Sequence, residues 1–447
     1  MNLEEIRTNR VKMILRFSIP SIIAMVLTSM ITIIDGFFIG NYVGKEGMAA
    51  VNLGLPIIYL YLAIGLMLSV GGVAIAGMLL GAGEQEHSNC VFNQTIVLIA
   101  VVMAIVSLLI FFCFEPMLAI LHAEGQVAVY FRMYYRILLF ELPFMVLNSS
   151  FGMFIRAEGN PQFVMMNNIL NVLLNLILDA FFTVKMHWGV TGIAVASLLS
   201  AVITFAWIIL YLLHQSKVFH FQRFQFQWKE IRDSIWNGSS EFIGEMSMSI
   251  SMFAYNYVIM RSVGSDGVSA FTIVGYVSYL FSMIVIGFGQ GASPLISYTY
   301  GAKEKRLSRR IGWNTAILVL AAGIFTILIL FVGSGWYSGL FIKNESVKVM
   351  AETGIKIVVF SFLGSGINSI ASFYFTSIGR AKESAVISSV RGLVVLLIMI
   401  YLLPKFYGMT GVWLAAPVTE VITLLISLFY FYRDGKIEDG YTKSYSL

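Results

Sequence analysis

Charge is what this chain most lacks. Only 12% of its 447 residues are charged, against about 25% in a soluble globular domain, while 58% are hydrophobic. That balance excludes a soluble enzyme or nucleic-acid binder and reads as a polytopic membrane protein. Cysteine is nearly missing as well. Cys90 and Cys113 fall at opposite ends of one expected helix, roughly 35 Å apart at about 1.5 Å per residue, too far for a bridge within it. Neither a disulfide framework nor a cysteine metal site is expected. The five histidines, His87, His122, His187, His214 and His220, lie in loops or near helix ends, and no HExxH motif occurs. An embedded metalloenzyme therefore has nothing to build on, and no structural metal or cofactor is expected. Met1 to Arg16 is mixed in charge, and the apolar run after it is too long for a signal-peptide core, so it is kept as a membrane helix.

What is present is apolar sequence in lengths of about 20 residues or more, enough to span a bilayer, twelve times over. The expected spans are 14–40, 50–80, 91–114, 131–155, 163–184, 190–213, 236–260, 269–299, 312–334, 355–377, 385–404 and 411–431. An even number leaves both termini on one side. The N-terminus and the even-numbered connections hold 19 of the 29 basic residues and the opposite side holds 9, with Arg391 inside a helix. By the positive-inside rule the richer side, with both termini, is the cytoplasm. The net charge of +5 is thus topology, and no nucleic-acid partner is implied.

The chain repeats itself at an offset of 220 residues. Val43-Gly44 matches Val263-Gly264, Tyr59-Leu60 matches Tyr279-Leu280, Gly71 matches Gly291, Gly81-Ala82 matches Gly301-Ala302, and Gly159 matches Gly379. At an offset of 219, Thr191-Gly192 matches Thr410-Gly411. Each half holds six spans, so the expected fold is all-α: two six-helix bundles related by a pseudo-two-fold axis along the membrane normal. The expected domains are an N-terminal lobe at 1–214, a linker at 215–234 and a C-terminal lobe at 235–447. Phe219, Phe221, Phe224, Phe226 and Trp228 alternate with basic residues along the linker, which suggests a segment lying in the membrane interface.

Against this background Asp35 stands out, because it places a carboxylate inside the first span. An ionised group at the bilayer centre costs about 3 kcal/mol even on insertion scales. Asp179 lies on the fifth span above Asn168, Asn171 and Asn175, at spacings of 3, 4 and 4 that keep all four on one helix face. Counted from the helix ends, Asp35, Asp179 and Ser197 lie roughly 8–11 Å below the outer surface and could form one layer. Converging oxygens of this kind suit Na⁺, and a dry carboxylate pair can instead share a proton. The alternative is interhelical glue. The repeat favours function, because the second half carries Tyr255 at the position of Asp35, Met399 (or Ile398 at the offset of 219) at that of Asp179, and Ala416 at that of Ser197.

The second half has its own charges. Glu241 and Glu245 stand one turn apart on the seventh span, and Arg391 lies at similar depth on the eleventh. They could form an ion pair across the lobe, or contact substrate. Glu141 and Glu420 are lone mid-helix acids, cavity-lining or hydrogen-bonded. Met246, Met248 and Met252 near Glu245 could give an adaptable wall for varied ligands.

These residues resemble a known family. The segment Ile34-Asp35-Gly36-Phe37-Phe38-Ile39-Gly40, the close Gly81-Ala82-Gly83, the turn Arg156-Ala157-Glu158-Gly159-Asn160-Pro161 and the step from Asn175 to Asp179 are similar to those of MATE transporters (multidrug and toxic compound extrusion), most closely the Gram-positive bacterial branch. The resemblance covers essentially all twelve spans. It implies a V-shaped pair of six-helix bundles in the cell membrane, acting as a monomer, in which H⁺ or Na⁺ enters while small organic cations leave. The N-lobe cation site it implies maps onto Asp35, Asn175 and Asp179, with Ser197 at a position that often carries a hydroxyl. A second Na⁺ site known in some relatives needs an acid on the tenth span, and Ser361 to Thr376 contains none. A related architecture, the lipid-linked oligosaccharide flippase, is the alternative. It would want several basic residues in the membrane, whereas Arg391 is the one clear case.

Overall fold

The structure is a computed structural model describing residues 2–120, 124–341 and 344–444; His122 and Lys343 lie outside these. Among the described residues there is no strand. After a short helix, Leu3–Thr8, capped by the side chain of Asn2, twelve long helices follow. They are α1 (Arg10–Tyr42), α2 (Lys45–Gly81, interrupted at Gly54), α3 (Gln85–Phe112), α4 (Gly125–Glu158), α5 (Pro161–Lys185) and α6 (Gly189–His214). The second six are α7 (Trp228–Ser262), α8 (Ser265–Gly301), α9 (Lys305–Phe341), α10 (Glu345–Val358 and Ser361–Ser377), α11 (381–407) and α12 (409–444).

Most of these helices overrun the apolar windows expected from sequence, because their ends are set by caps and glycines. Gly44, Gly159, Gly264 and Gly379 adopt φ of 94°, 112°, 86° and 77°, conformations that cost other residues dearly. They are two pairs of repeat-related positions, so the same turns recur in both halves. Among the described residues nine helical runs are apolar and long enough to cross a membrane, and the α10 pair, bent by 49°, makes a tenth. One of the nine, Ala381–Lys436, kinks at Gly408 (φ 55°, ψ −134°) into α11 and α12. The remaining helix, α7, is long enough but too polar to qualify by composition. Its hydroxyls are used internally: Ser240 meets Thr376 at 3.2 Å and Ser251 donates to the Gly392 carbonyl at 2.7 Å.

Contacts divide the chain into two units, Ile19–Gly238 and Asn2–Ser18 with the residues from Ser239 onward. Residues 2–18, expected in the N-terminal lobe, therefore pack with the second unit, and the linker packs with the first. The repeat explains the arrangement. In the first unit a Cβ on Gly71 of α2 would lie 1.9 Å from the Ser234 carbonyl oxygen of α7. In the second, a Cβ on Gly291 of α8 would lie 2.5 Å from Ser18 Cα of α1. Glycine allows each pair of backbones to touch, and the two crossings are related by the 220-residue offset.

The linker is held more firmly than a floating interfacial anchor. Its backbone is satisfied by amide side chains of α3: Asn89 accepts from His220 N–H (2.9 Å), Asn93 donates to the His220 carbonyl (2.9 Å) and accepts from Gln222 N–H (3.3 Å), and Gln94 accepts from Gln227 N–H (3.2 Å). Phe219 is fully buried against Phe92 and Phe154, at ring separations of 5.1 and 5.3 Å. His87 bridges Glu84 and Glu230 beside it.

Candidate functional site

The site residues of the first unit meet as their depth required. Asn175 and Asp179 are fully buried on α5, and Ser197 on α6 is 8% exposed. Asn175 Nδ2 donates to Ser197 Oγ at 3.2 Å, and Ser197 Oγ donates to Asp35 Oδ2 at 3.4 Å. The Asp35 and Asp179 carboxyls lie within hydrogen-bonding reach of each other. Two carboxylates cannot donate to one another, so that contact needs a shared proton or a bridging cation.

Local structure presents these groups. Immediately after Asp179 the helix widens into a π-turn, Ala180–Lys185, closed by the Met186 N–H on the Phe181 carbonyl at 3.1 Å. Such bulges are frequent at functional sites because they re-aim side chains within a helix. The widened turn then packs on α6, where a Cβ on Gly192 would stand 3.1 Å from the Phe182 and Trp188 side chains, whose rings stack at 5.0 Å.

Five oxygens in this neighbourhood are buried with no hydrogen-bond donor: Asp35 Oδ1, Asp179 Oδ1 and Oδ2, Asn175 Oδ1 and Asn171 Oδ1. An unsatisfied polar atom in an apolar interior is costly. A donor set of carboxylate and amide oxygens is the hard set that suits Na⁺ or a proton. The residues present fit either cation.

Two residues complete the picture. Asn167 is 4% exposed, with an unpartnered Oδ1, and is turned about 120° round the helix from Asp179; Asn168, which keeps the face of Asp179, is only half-buried. Tyr134 on α4, 4% exposed, lies in electrostatic reach of Asp35, Asp179 and Glu141. Glu141, one heptad along α4, is 9% exposed and within reach of Asp35. Tyr134 was invisible in the sequence because one tyrosine among 21 carries no signal of its own. Its spacing of seven from Glu141 was the available clue.

The second unit differs. At the place of Asp35, Tyr255 stacks on Phe271 at 4.8 Å, and Phe271 on Trp413 at 6.2 Å, an aromatic filling. Arg391 pairs with Glu420 (Nε–Oε1 2.6 Å) and donates to Ser369 at 2.5 Å. It does not pair with Glu241 or Glu245, because a π-turn at Val390–Val394 carries it on α11 toward α12. Asn368 donates to Glu420 Oε2 at 2.8 Å and accepts from Ser427 at 2.8 Å, closing the network. Glu420 is thus an ion-paired structural acid. Glu241 and Glu245 lie in reach of each other, with no basic partner among the described residues. Met246 is half-buried beside them, and Met248 and Met252 are exposed.

Twelve long helices, with a buried layer of carboxylate and amide oxygens in one unit, define a polytopic membrane transporter. The chain belongs to the MatE family, whose model matches it twice, at residues 20–181 and 242–402, once in each repeat. The multidrug export protein MepA of Staphylococcus haemolyticus is 24% identical over 94% of this chain and 93% of its own. MepA of Staphylococcus saprophyticus is 23% identical over the same shares. Among solved structures, an outward-facing multidrug resistance MATE transporter of the MOP superfamily superposes with a TM-score of 0.91 at 22% identity, covering 96% of each chain. A MOP superfamily transporter from Pyrococcus furiosus does so with a TM-score of 0.90 at 22% identity, again over 96% of each. The twelve-helix fold is therefore shared.

Proposed function

We propose that the chain is a secondary antiporter that exports lipophilic organic cations (multidrug efflux) in exchange for H⁺ or Na⁺, by alternating access. The supporting observation is the layer of Asp35, Asn171, Asn175 and Asp179, five of whose buried oxygens have no hydrogen-bond donor among the described residues and suit a cation. The relatives' name, multidrug export protein, supports the same cargo.

In this reading Asp35, Asp179, Asn175 and Ser197 take up the entering cation. Charge neutralisation there holds the α1 and α5 carboxylates together, and the repacked α1 lowers affinity for the outgoing drug. Glu141 and Tyr134 are the neighbouring groups through which a proton could arrive. Glu241 and Glu245, with Met246, Met248 and Met252, offer anionic and thioether contacts to a lipophilic cation. Exchange requires only that the two cargoes favour different states, at about 1.4 kcal/mol per tenfold preference. Membrane potential adds about 2.3 kcal/mol per charge per 100 mV to inward cation flow. The cytoplasmic termini, the bacterial cell membrane and the monomeric state belong to the same proposal, which requires no cofactor or enzymatic step.

A lipid-linked oligosaccharide flippase fits less well, since Arg391, the basic group it would need, is neutralised by Glu420. Everted vesicles carrying a fluorescent organic cation, given a pH gradient and a Na⁺ gradient separately, test the proposal. Uptake driven by one gradient is the expected result; uptake by neither contradicts antiport.

A further inference from the structure

We infer that the arginine-bearing end of α9, together with the facing turn of α12, binds the phosphate headgroup of an anionic glycerophospholipid. A cavity of about 600 Å³ opens there, lined by Arg306, Arg309, Arg310, Trp313, Phe431 and Tyr432. The arginines are spaced 3 and 1 apart, so they share one helix face, and Trp313 follows one turn deeper.

Clustered arginines at a membrane face are expected from topology alone, so their pairing decides the matter. Nearby arginines of this unit are matched to carboxylates: Arg7 with Glu304 (2.5 Å), Arg380 with the buried Asp434 (2.6 Å) and Arg433 with Glu383 (2.7 Å). Arg309 and Arg310 have no carboxylate within salt-bridge distance among the residues whose side chains are described, which on α12 end at Lys436. Two guanidinium forks left open at one cavity match phosphate oxygens, which they can hold in bidentate fashion.

The floor of the cavity argues for a lipid over a free anion. Phe431, 4% exposed, meets Trp313 edge-on at 6.1 Å. Leu428, deeper on α12, is 39% exposed and lines the same cavity. The basic rim thus leads into an apolar wall running toward the membrane interior, which suits a headgroup with an acyl chain beneath it. Gly435 fixes the rim, because a Cβ there would stand 2.1 Å from Arg309 Nη1. The guanidinium rests on α12 because glycine leaves room for it.

The test uses the full-length protein in neutral detergent and reads thermal unfolding together with native mass spectrometry. The probes are short-chain phosphatidylglycerol, the matching phosphatidylcholine and inorganic phosphate. Phosphatidylglycerol is expected to raise Tm saturably and to stay bound in the spectrometer, with little effect from the other two. Arg309→Gln/Arg310→Gln should raise its half-saturating concentration at least tenfold. Gly435→Ala, which keeps every charge and displaces only the tip of Arg309, should raise it severalfold. Mass spectrometry counts lipid on folded molecules, so a change in baseline stability does not obscure the reading. Equal phosphatidylglycerol binding by wild type and both variants overturns the inference, as does inorganic phosphate alone reproducing the full shift. Neither result bears on the Asp35 site.

Discussion

Ser197 donates its hydroxyl to Asp35 at 3.4 Å, joining the carboxylate of α1 to a helix 162 residues further along the chain. The same oxygen accepts from Asn175 at 3.2 Å, so one hydroxyl orders two helices around the acid. Ser197→Ala removes a donor without removing an acid. Transport should persist, with the half-saturating concentration of the driving cation raised about three- to tenfold, in line with about 1 kcal/mol for one hydrogen bond. Initial rates against H⁺ or Na⁺ concentration check this.

Asp179 separates function from glue. Both its oxygens are buried without a donor, so its charge opposes folding of the cation-free protein. Asp179→Asn supplies an N–H₂ that Asp35 can accept. The variant should therefore unfold about 2 °C higher, equivalent to about 2 kcal/mol in a protein of this size, while gradient-driven efflux is lost. Thermal melting and efflux measured on one preparation test both halves. A destabilised but active variant would mean the layer only holds helices together.

The Arg391–Glu420 network predicts the opposite pattern. Removing one partner of a buried pair strands the other, at about 3–5 kcal/mol, discounted here because the Arg391 side chain is 31% exposed. Glu420→Leu should lower folded yield strongly. Arg391→Met/Glu420→Leu should recover much of it, since apolar replacement of a whole pair is often neutral. A double-mutant cycle on melting temperature measures the coupling.

Gly71 and Gly291 test the repeat. An added methyl at either meets backbone atoms, which cannot rotate away, so Gly71→Ala and Gly291→Ala should each cost about 3 kcal/mol. Gly275→Ala, with nothing within 4 Å, should be silent. Detergent-solubilised monodisperse yield compares the three.

Much of this was legible because the membrane makes sequence literal. Every span must be apolar, so Asp35 and Asp179 were conspicuous, and counting from helix ends was enough to put them in one layer. The 220-residue repeat marked the glycine crossings before their partners were known. What escaped was lateral. Periodicity put Asn168 on the face of Asp179, eleven residues and about 20° of rotation away, and gave no sign of the buried Asn167 about 100° further round the helix. Nor could it foresee that a π-turn would swing Arg391 toward Glu420 and away from Glu245. The exchange of residues 2–18 into the second unit was equally hidden, because lobe boundaries drawn from hydropathy follow the chain and not its contacts. The grip of Asn89, Asn93 and Gln94 on the linker backbone likewise depends on contacts between remote segments.

The most direct test of the account is Asp35→Asn in everted vesicles, with ethidium uptake followed under whichever gradient drives the wild type. The protein should insert in normal amounts, and adding ethidium should release H⁺ or Na⁺ from wild-type vesicles but none from the variant, whose uptake falls to the level of empty vesicles. Undiminished gradient-driven ethidium uptake by Asp35→Asn would contradict the assignment of the coupling site to this layer.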